Sequence, residues 1–222
     1  MGKDKLRKFR ENETFECLLQ PTLDQILDRK HPLCGKWGKE VFRNGNPLVL
    51  ELGCGKGEYT IALAERNPDI NYIGVDIKGA RLWKGAKYAT ENKMPNVAFL
   101  RTRIDFISSF FGPDEVDEIW VTFADPQPKK PNKRLTSPVF LERYKTFLKK
   151  GGIVNLKTDS QLLHEYTLET APDSGFEILE HNNDIYGSGR VTPDDILNVK
   201  TFYESQFLAK GLPITYLKMR LL

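Results

Sequence analysis

A glycine-rich turn and three acidic residues, each just past a short apolar run, carry the first chemical signal in this chain. The turn reads Glu51-Leu52-Gly53-Cys54-Gly55-Lys56-Gly57-Glu58. Glycines at alternate positions let the backbone reverse sharply and let a ligand approach the main chain. A dinucleotide turn needs Gly-x-Gly-x-x-Gly, and Glu58 stands where its third glycine would be. An acid two positions before the first glycine repels a pyrophosphate but suits a cationic ligand with an amino group. S-adenosylmethionine, with a sulfonium, an ammonium and no phosphate, has that chemistry; a turn used only for chain reversal is the competing reading. Asp76 closes the next apolar run at a distance suited to accepting both hydroxyls of a ribose. It also suits a helix start at Lys78. Asp105, in Arg103-Ile104-Asp105-Phe106, suits the adenine amino group with Ile104 against the ring, or another helix start.

A second set of residues points to the acceptor. Thr122-Phe123-Ala124-Asp125-Pro126 runs into Gln127-Pro128-Lys129-Lys130-Pro131-Asn132-Lys133-Arg134. An acid-proline step just past a strand puts a carboxylate at the ligand edge of an open α/β sheet. The loop behind it is basic and stiffened by prolines. Such a run is either a solvated loop or a contact for phosphates.

These residues need elements to hold them. Apolar runs at 48–52, 71–76, 97–100, 117–123 and 153–157 read as strands. Helical spacing covers Glu58–Arg66, Lys78–Glu91, Ile104–Phe111, a segment capped at Ser137-Pro138, and Asp159–Ala171. In the capped segment Phe140, Tyr144, Phe147 and Leu148 recur at helical spacing, and Gly151-Gly152 stops it. Runs at 176–180 and 214–221 close the chain as strands. Strands that alternate with helices imply an α/β, doubly wound, mostly parallel sheet with helices on both faces. Ligands then bind beyond the carboxyl ends of the strands, where every candidate above sits. Residues 1–46 show little periodicity, with a basic arm at Lys3–Arg10 and a short helix around Thr22–Lys30. The chain divides into this N-terminal segment (1–46) and an α/β domain (47–222), which the resemblance described next implies to be S-adenosylmethionine-dependent.

The glycine turn with its three acids resembles the class I S-adenosylmethionine-dependent methyltransferases. That resemblance implies a seven-stranded sheet whose last strand, 214–221, is antiparallel. It implies that Glu51, Gly53, Gly55 and Gly57 lie beside the methionine part, that Asp76 holds the ribose and that Asp105 meets the adenine. A closer resemblance follows from Asp125-Pro126, Lys129, Asn132-Lys133-Arg134, Thr158-Asp159 and Thr201-x-x-Glu204. In that order these motifs are similar to those of bacterial tRNA (guanine-N7-)-methyltransferases. Gln127 stands where that family has Trp, and Pro131 with a loop one residue shorter replaces Arg-His. The resemblance implies methyl transfer to N7 of guanosine 46 in the tRNA variable loop. Asp125 is then the catalytic carboxylate and also borders the cofactor. Lys129, Asp159, Thr201 and Glu204 contact the substrate, and the Lys129–Arg134 loop and Lys3–Arg10 arm contact the tRNA backbone.

Composition bounds the alternatives. The 222 residues carry 33 Lys+Arg against 30 Asp+Glu, a net charge of +3, which by itself does not indicate nucleic acid. Aromatics at 11% argue against global disorder. No run of about 18 apolar residues occurs, which argues against a membrane-spanning helix. The N-terminus has no apolar stretch of a secretory signal. Three cysteines, Cys17, Cys34 and Cys54, fit neither a disulfide framework nor a zinc knuckle, so no metal is expected. The chain reads as cytoplasmic, as monomer or homodimer. A methyltransferase for another RNA site or a small molecule, a non-catalytic tRNA-binding protein and a nicotinamide dehydrogenase are the competing functions.

Overall fold

A computed structural model describes residues 3–27 and 30–222. Met1, Gly2, Asp28 and Arg29 lie outside the described residues, and with the last two goes part of the expected helix Thr22–Lys30. The strands are β1 (Leu18–Leu19), β2 (Leu48–Leu52), β3 (Asn71–Asp76), β4 (Val97–Arg101), β5 (Val116–Thr122), β6 (Leu148–Thr158), β7 (Phe176–Asn182) and β8 (Thr215–Leu221). The helices are α1 (Lys3–Asn12), α2 (Glu58–Arg66), α3 (Gly79–Glu91), α4 (Pro138–Lys145), α5 (Gln161–Thr170) and α6 (Phe202–Ala209).

The strands form one sheet in the order β1-β4-β3-β2-β5-β6-β8-β7. Pairing is parallel from β1 to β6, and β8 runs antiparallel to both β6 and β7. The order reverses at β2, which lies between β3 and β5. The glycine turn leaves β2 at this switch point, where an open α/β sheet leaves a crevice. All seven expected strands are present. The eighth, β1, comes from the segment ahead of Pro47 and pairs Leu18 with Phe99.

Alternation along β2 explains the double winding. Leu48, Leu50 and Leu52 pack on one face with Ile73, Val75, Phe140, Tyr144 and Leu163. Val49 packs on the other with Tyr72, Tyr59, Leu82 and Ala86. Period 2 sends neighbouring residues to opposite faces, so α4 and α5 cover one layer and α2 and α3 the other. Each fully buried leucine stabilises the fold by roughly 1.5–3 kcal/mol.

Four local expectations change. Leu148 belongs to β6 rather than to α4, which ends at Lys145. Gly151 and Gly152 lie inside β6, where the register with β5 jumps from Val116↔Leu148 to Glu118↔Ile153. A bulge, with Gly151 at φ +77°, absorbs the extra residues. The expected helices at Thr22–Lys30 and Ile104–Phe111 are 3-10 turns over Leu23–Gln25 and Ile104–Ser109. The basic arm is α1, packed across α3. Trp83 Nε1 donates to Glu11 at 2.6 Å, and Arg7 and Lys8 sit 5.0 and 4.9 Å from its ring centroid.

One buried residue is expected to make the fold acid-sensitive. His164 on α5 is fully buried, and neither ring nitrogen has a hydrogen-bond partner among the described residues. Burial, reinforced by the neighbouring His181, pushes its pKa down to about 4. The unfolded chain therefore binds this proton between about pH 6.5 and 4 while the folded chain does not. Stability is expected to fall across that window by roughly 2 kcal/mol from this group. His164→Leu should flatten the acid limb of urea-denaturation stability against pH. An unchanged slope would remove His164 as its cause.

Candidate active site

The turn after β2 is built by three glycines with different duties. Gly53, Gly55 and Gly57 all have positive φ, at +80°, +57° and +72°. A Cβ on Gly53 would come no nearer than 3.9 Å to Leu135, and one on Gly55 would meet nothing within 4 Å. Both leave room for a ligand. A Cβ on Gly57 would fall 2.6 Å from the Phe99 ring. Gly57, expected beside the ligand, seats the turn on a core aromatic, because only hydrogen fits there. Cys54 is buried, and burial pushes its thiol well above the ordinary value, so it is no nucleophile.

Glu51 is buried at the base of this turn. One carboxylate oxygen accepts from the Thr60 N–H at 2.8 Å and from the Thr60 hydroxyl. The other accepts from the Thr122 hydroxyl at 2.5 Å. Desolvation outweighs these bonds and raises its pKa to about 7. The folded state therefore holds a proton that the unfolded state releases from about pH 4.5 upward. Stability from this group is present below pH 4.5 and is lost as pH rises through 7. Glu51→Gln, which keeps the shape without the charge, is expected to be more stable than the parent at pH 8. The gain should be on the order of 2 kcal/mol and vanish near pH 4.5. Paired urea titrations at the two pH values check this, and a gain independent of pH would refute the assignment.

Asp76, at the end of β3, accepts from Gly55 N–H at 3.0 Å and from Lys78 N–H at 2.7 Å. It thus ties the turn to the start of α3 with one lone pair on each oxygen, leaving others for a diol. A cavity of about 400 Å³ opens beside it, lined among others by Gly53, Ile104, Asp105, Phe123, Asp125 and Lys133. A smaller one of about 70 Å³ adjoins, reaching Glu51, Gly55, Thr122, Thr201 and Tyr203. Asp105 is exposed and paired with Arg103 at 3.3 Å.

The loop after β5 is strained where it borders the cavity. Phe123 and Gln127 have φ of +49° and +45°, a region that costs a non-glycine residue of order 1–3 kcal/mol. Asp125 between them is exposed and accepts from the Gln127 N–H at 2.9 Å. Lys129, Lys130 and Lys133 are exposed beside it. Arg134, expected to contact tRNA with them, is buried. It donates to the Pro126 carbonyl at 2.9 Å and lies 4.2 Å from the Tyr166 ring centroid. It braces the loop from within.

Asp159 is half-buried and caps no helix; Ser160 does that, accepting from the Leu163 N–H at 3.2 Å. Thr201 and Glu204 form a capping box at the start of α6. Glu204, expected to meet the substrate base, is fully buried. It is 2.7 Å from Lys157 Nζ, and the Tyr186 hydroxyl donates to it at 2.7 Å. In this structure these partners occupy the Glu204 carboxylate and tie the start of α6 to the sheet. Sequence reasoning missed Lys157 and Arg81. The first sits in an apolar strand, and the second has the helical spacing of a solvated face.

A channel with a buried acid at one end and a diol acceptor further along fits a ligand with an ammonium and a ribose. The comparisons agree with that chemistry. Residues 45–217 match the family described as "Putative methyltransferase". A tRNA (guanine-N(7)-)-methyltransferase of Christiangramia forsetii is 51% identical over 222 residues, covering 99% of each chain. One from Bacteroides fragilis is 48% identical, over 100% of this chain and 87% of that protein. The crystal structure of the 16S rRNA methyltransferase KamB superposes with a TM-score of 0.64 at 14% identity, covering 82% of this chain and 91% of that one. The [4+2]-cyclase SpnF, with a TM-score of 0.58 at 17% identity and coverage of 83% and 78%, shares the fold as well. The fold alone therefore does not specify the reaction. It is sequence identity over the full length that decides: the chain belongs to the tRNA (guanine-N(7)-)-methyltransferase family.

Proposed function

We propose that this enzyme transfers the methyl group of S-adenosylmethionine to N7 of guanosine 46 in the variable loop of tRNA, in the cytoplasm. The observation that carries the reading is a pair of cavities that share Gly53, Arg81 and Phe123 as lining. Glu51 lines the smaller, Asp76, Asp105, Asp125 and Lys133 line the larger, and Lys129 and Lys130 are exposed beside Asp125. When bound, the cofactor supplies an electrophilic methyl on a cationic sulfur. Glu51 meets the ammonium, Asp76 the ribose hydroxyls, and Asp105 with Ile104 the adenine. Guanine N7 has a lone pair and no proton, so no general base is needed, and positioning supplies much of the rate. Positive charge passes to the guanine imidazole ring, where Asp125 balances it. Asp159 accepts from the guanine N1–H or amino group, with Thr201 beside the methionine end. The base leaves its stack to reach the crevice.

The deciding experiment supplies labelled S-adenosylmethionine and unmodified tRNA, then borohydride reduction and aniline cleavage. One cut in the variable loop is expected. Incorporation without that cut would move the acceptor to another RNA site, and no incorporation would refute the reading.

The same reading assigns phosphate contacts to Lys129 and Lys133, with Arg10 of α1 as a further candidate. Lys129→Glu/Lys133→Glu should weaken tRNA binding and reduce the slope of log affinity against log salt by about 1 per lost phosphate contact. Filter binding at several salt concentrations tests this; a parallel line at lower affinity would refute direct contact.

A further inference from the structure

We propose that Arg81 binds the carboxylate of the cofactor's methionine part, with Tyr203 holding its guanidinium in place. The inference rests on the S-adenosylmethionine reading above and adds a residue to it.

Gly53, Arg81 and Phe123 line both the larger and the smaller cavity. They mark the waist between the end with Asp76 and Asp105 and the end with Glu51. A ligand that spans both cavities passes Arg81. The residue stands near the start of α3 and is half-buried. Among the described residues its side chain makes no hydrogen bond and no ion pair. Arg103, in the same cavity, is already committed to Asp105 at 3.3 Å. A half-buried guanidinium without an anion, at the waist of a ligand channel, is the feature that asks for a partner.

The guanidinium carbon of Arg81 lies 5.8 Å from the centroid of the Tyr203 ring. Tyr203 is itself exposed, and its neighbour Phe202 ties it to the glycine turn. Its ring meets Phe202 edge-on at 5.6 Å, and Lys56 sits 4.0 Å from the Phe202 centroid. The Phe202 N–H donates to Glu58 at 2.8 Å. The start of α6 is thereby clamped over the turn, and its aromatic ring bears on Arg81 from across the small cavity.

The ligand chemistry completes the argument. The methionine end carries an ammonium and a carboxylate on one carbon. Glu51 suits the first and repels the second. A cation must therefore stand opposite Glu51. A guanidinium can bind a carboxylate through two parallel hydrogen bonds, which a lysine cannot do. Lys56 is the competing cation in the small cavity, and it is turned toward the Phe202 ring.

Calorimetry on the full chain separates these possibilities. The ligands are S-adenosylmethionine and its decarboxylated analogue; the proteins are the parent, Arg81→Met, Arg81→Lys and Lys56→Met. Arg81→Met keeps the aliphatic stem, and an unchanged melting curve without ligand would confirm its fold. We expect it to lose about 10- to 100-fold in affinity for S-adenosylmethionine and nothing for the decarboxylated analogue. Arg81→Lys should recover part of the loss, and Lys56→Met, which loosens Phe202, should not distinguish the two ligands. Equal losses for both ligands in Arg81→Met, or a loss for S-adenosylmethionine alone in Lys56→Met, would overturn the assignment. So would a variant that keeps cofactor affinity and loses tRNA affinity, which would make Arg81 a phosphate contact. A parent protein that binds neither ligand would instead overturn the cofactor reading itself, and this assignment with it.

Discussion

Lys157→Met is expected to destabilise the protein by about 3–5 kcal/mol, the cost of leaving one member of a buried ion pair alone. Lys157 stands near the end of β6 and is fully buried. Its ammonium donates to the carbonyls of Leu197 and Val199 at 2.7 and 3.0 Å and lies 2.7 Å from Glu204. Burial lowers its pKa, and Glu204 opposes that shift. Removing the charge takes the ammonium from both carbonyls, leaves the Leu197 carbonyl only the Tyr186 hydroxyl at 3.3 Å, and strands the Glu204 carboxylate away from water. The double variant Lys157→Met/Glu204→Gln should recover a large part of the loss, since glutamine can still accept from Tyr186. Urea denaturation of the single and double variants measures the coupling. A single-variant loss under about 1 kcal/mol would show that the pair is not holding the segment. The consequence extends to the site. The lysine anchors residues 197–204 to the sheet, and Thr201 and Tyr203 in that stretch line the small cavity. Cofactor affinity should fall alongside stability.

The second large effect falls on the reaction. Asp125→Ala is expected to reduce methyl transfer by at least about 100-fold, in the range seen when a charge-stabilising group is lost, while cofactor binding persists. Two contributions are combined in that variant. The carboxylate is proposed to balance the charge arriving on the guanine ring, and its oxygen also accepts the Gln127 N–H that holds the strained turn. Asp125→Asn separates them. Asparagine can accept the same bond and so keeps the turn, but it carries no charge. If charge is what matters, Asn should lose nearly as much as Ala in single-turnover rate with tRNA. Should Asn retain near-parental activity, the residue orients the base or the loop and does not stabilise charge.

Local pattern was enough for the frame. The runs at 48–52 and 71–76 become β2 and β3 with the same bounds, because a strand buried on both faces reads as a short, mostly apolar run, broken here only by Glu51 and by the terminal Asn71 and Asp76. The Glu58–Arg66 helix also keeps its bounds. Where pattern was ambiguous, pairing overrode it. Phe147 and Leu148 continue a helical spacing, but Leu148 is drawn into β6 by its partner Val116. Gly151-Gly152 reads as a helix stop and serves a bulge, because the ladder with β5 must skip residues there.

The site divides along the same line. Glu51, Gly53, Gly55, Asp76, Asp105 and Asp125 were legible because the strand ends of an open α/β sheet determine where a ligand can lie. Their positions in the chain already place them at those ends. What each side chain does was decided by residues distant in sequence. Gly57 is answered by Phe99, Arg134 by Pro126 and Tyr166, Glu204 by Lys157 and Tyr186, and Arg81 by Tyr203 across the crevice. Sequence alone determined the periodicities, the turn and the order of the motifs, which are properties of neighbouring residues. Only the tertiary structure could decide which charges are buried and paired and which remain free for a ligand. Burial and pairing depend on contacts that exist only once the sheet has brought separate segments together.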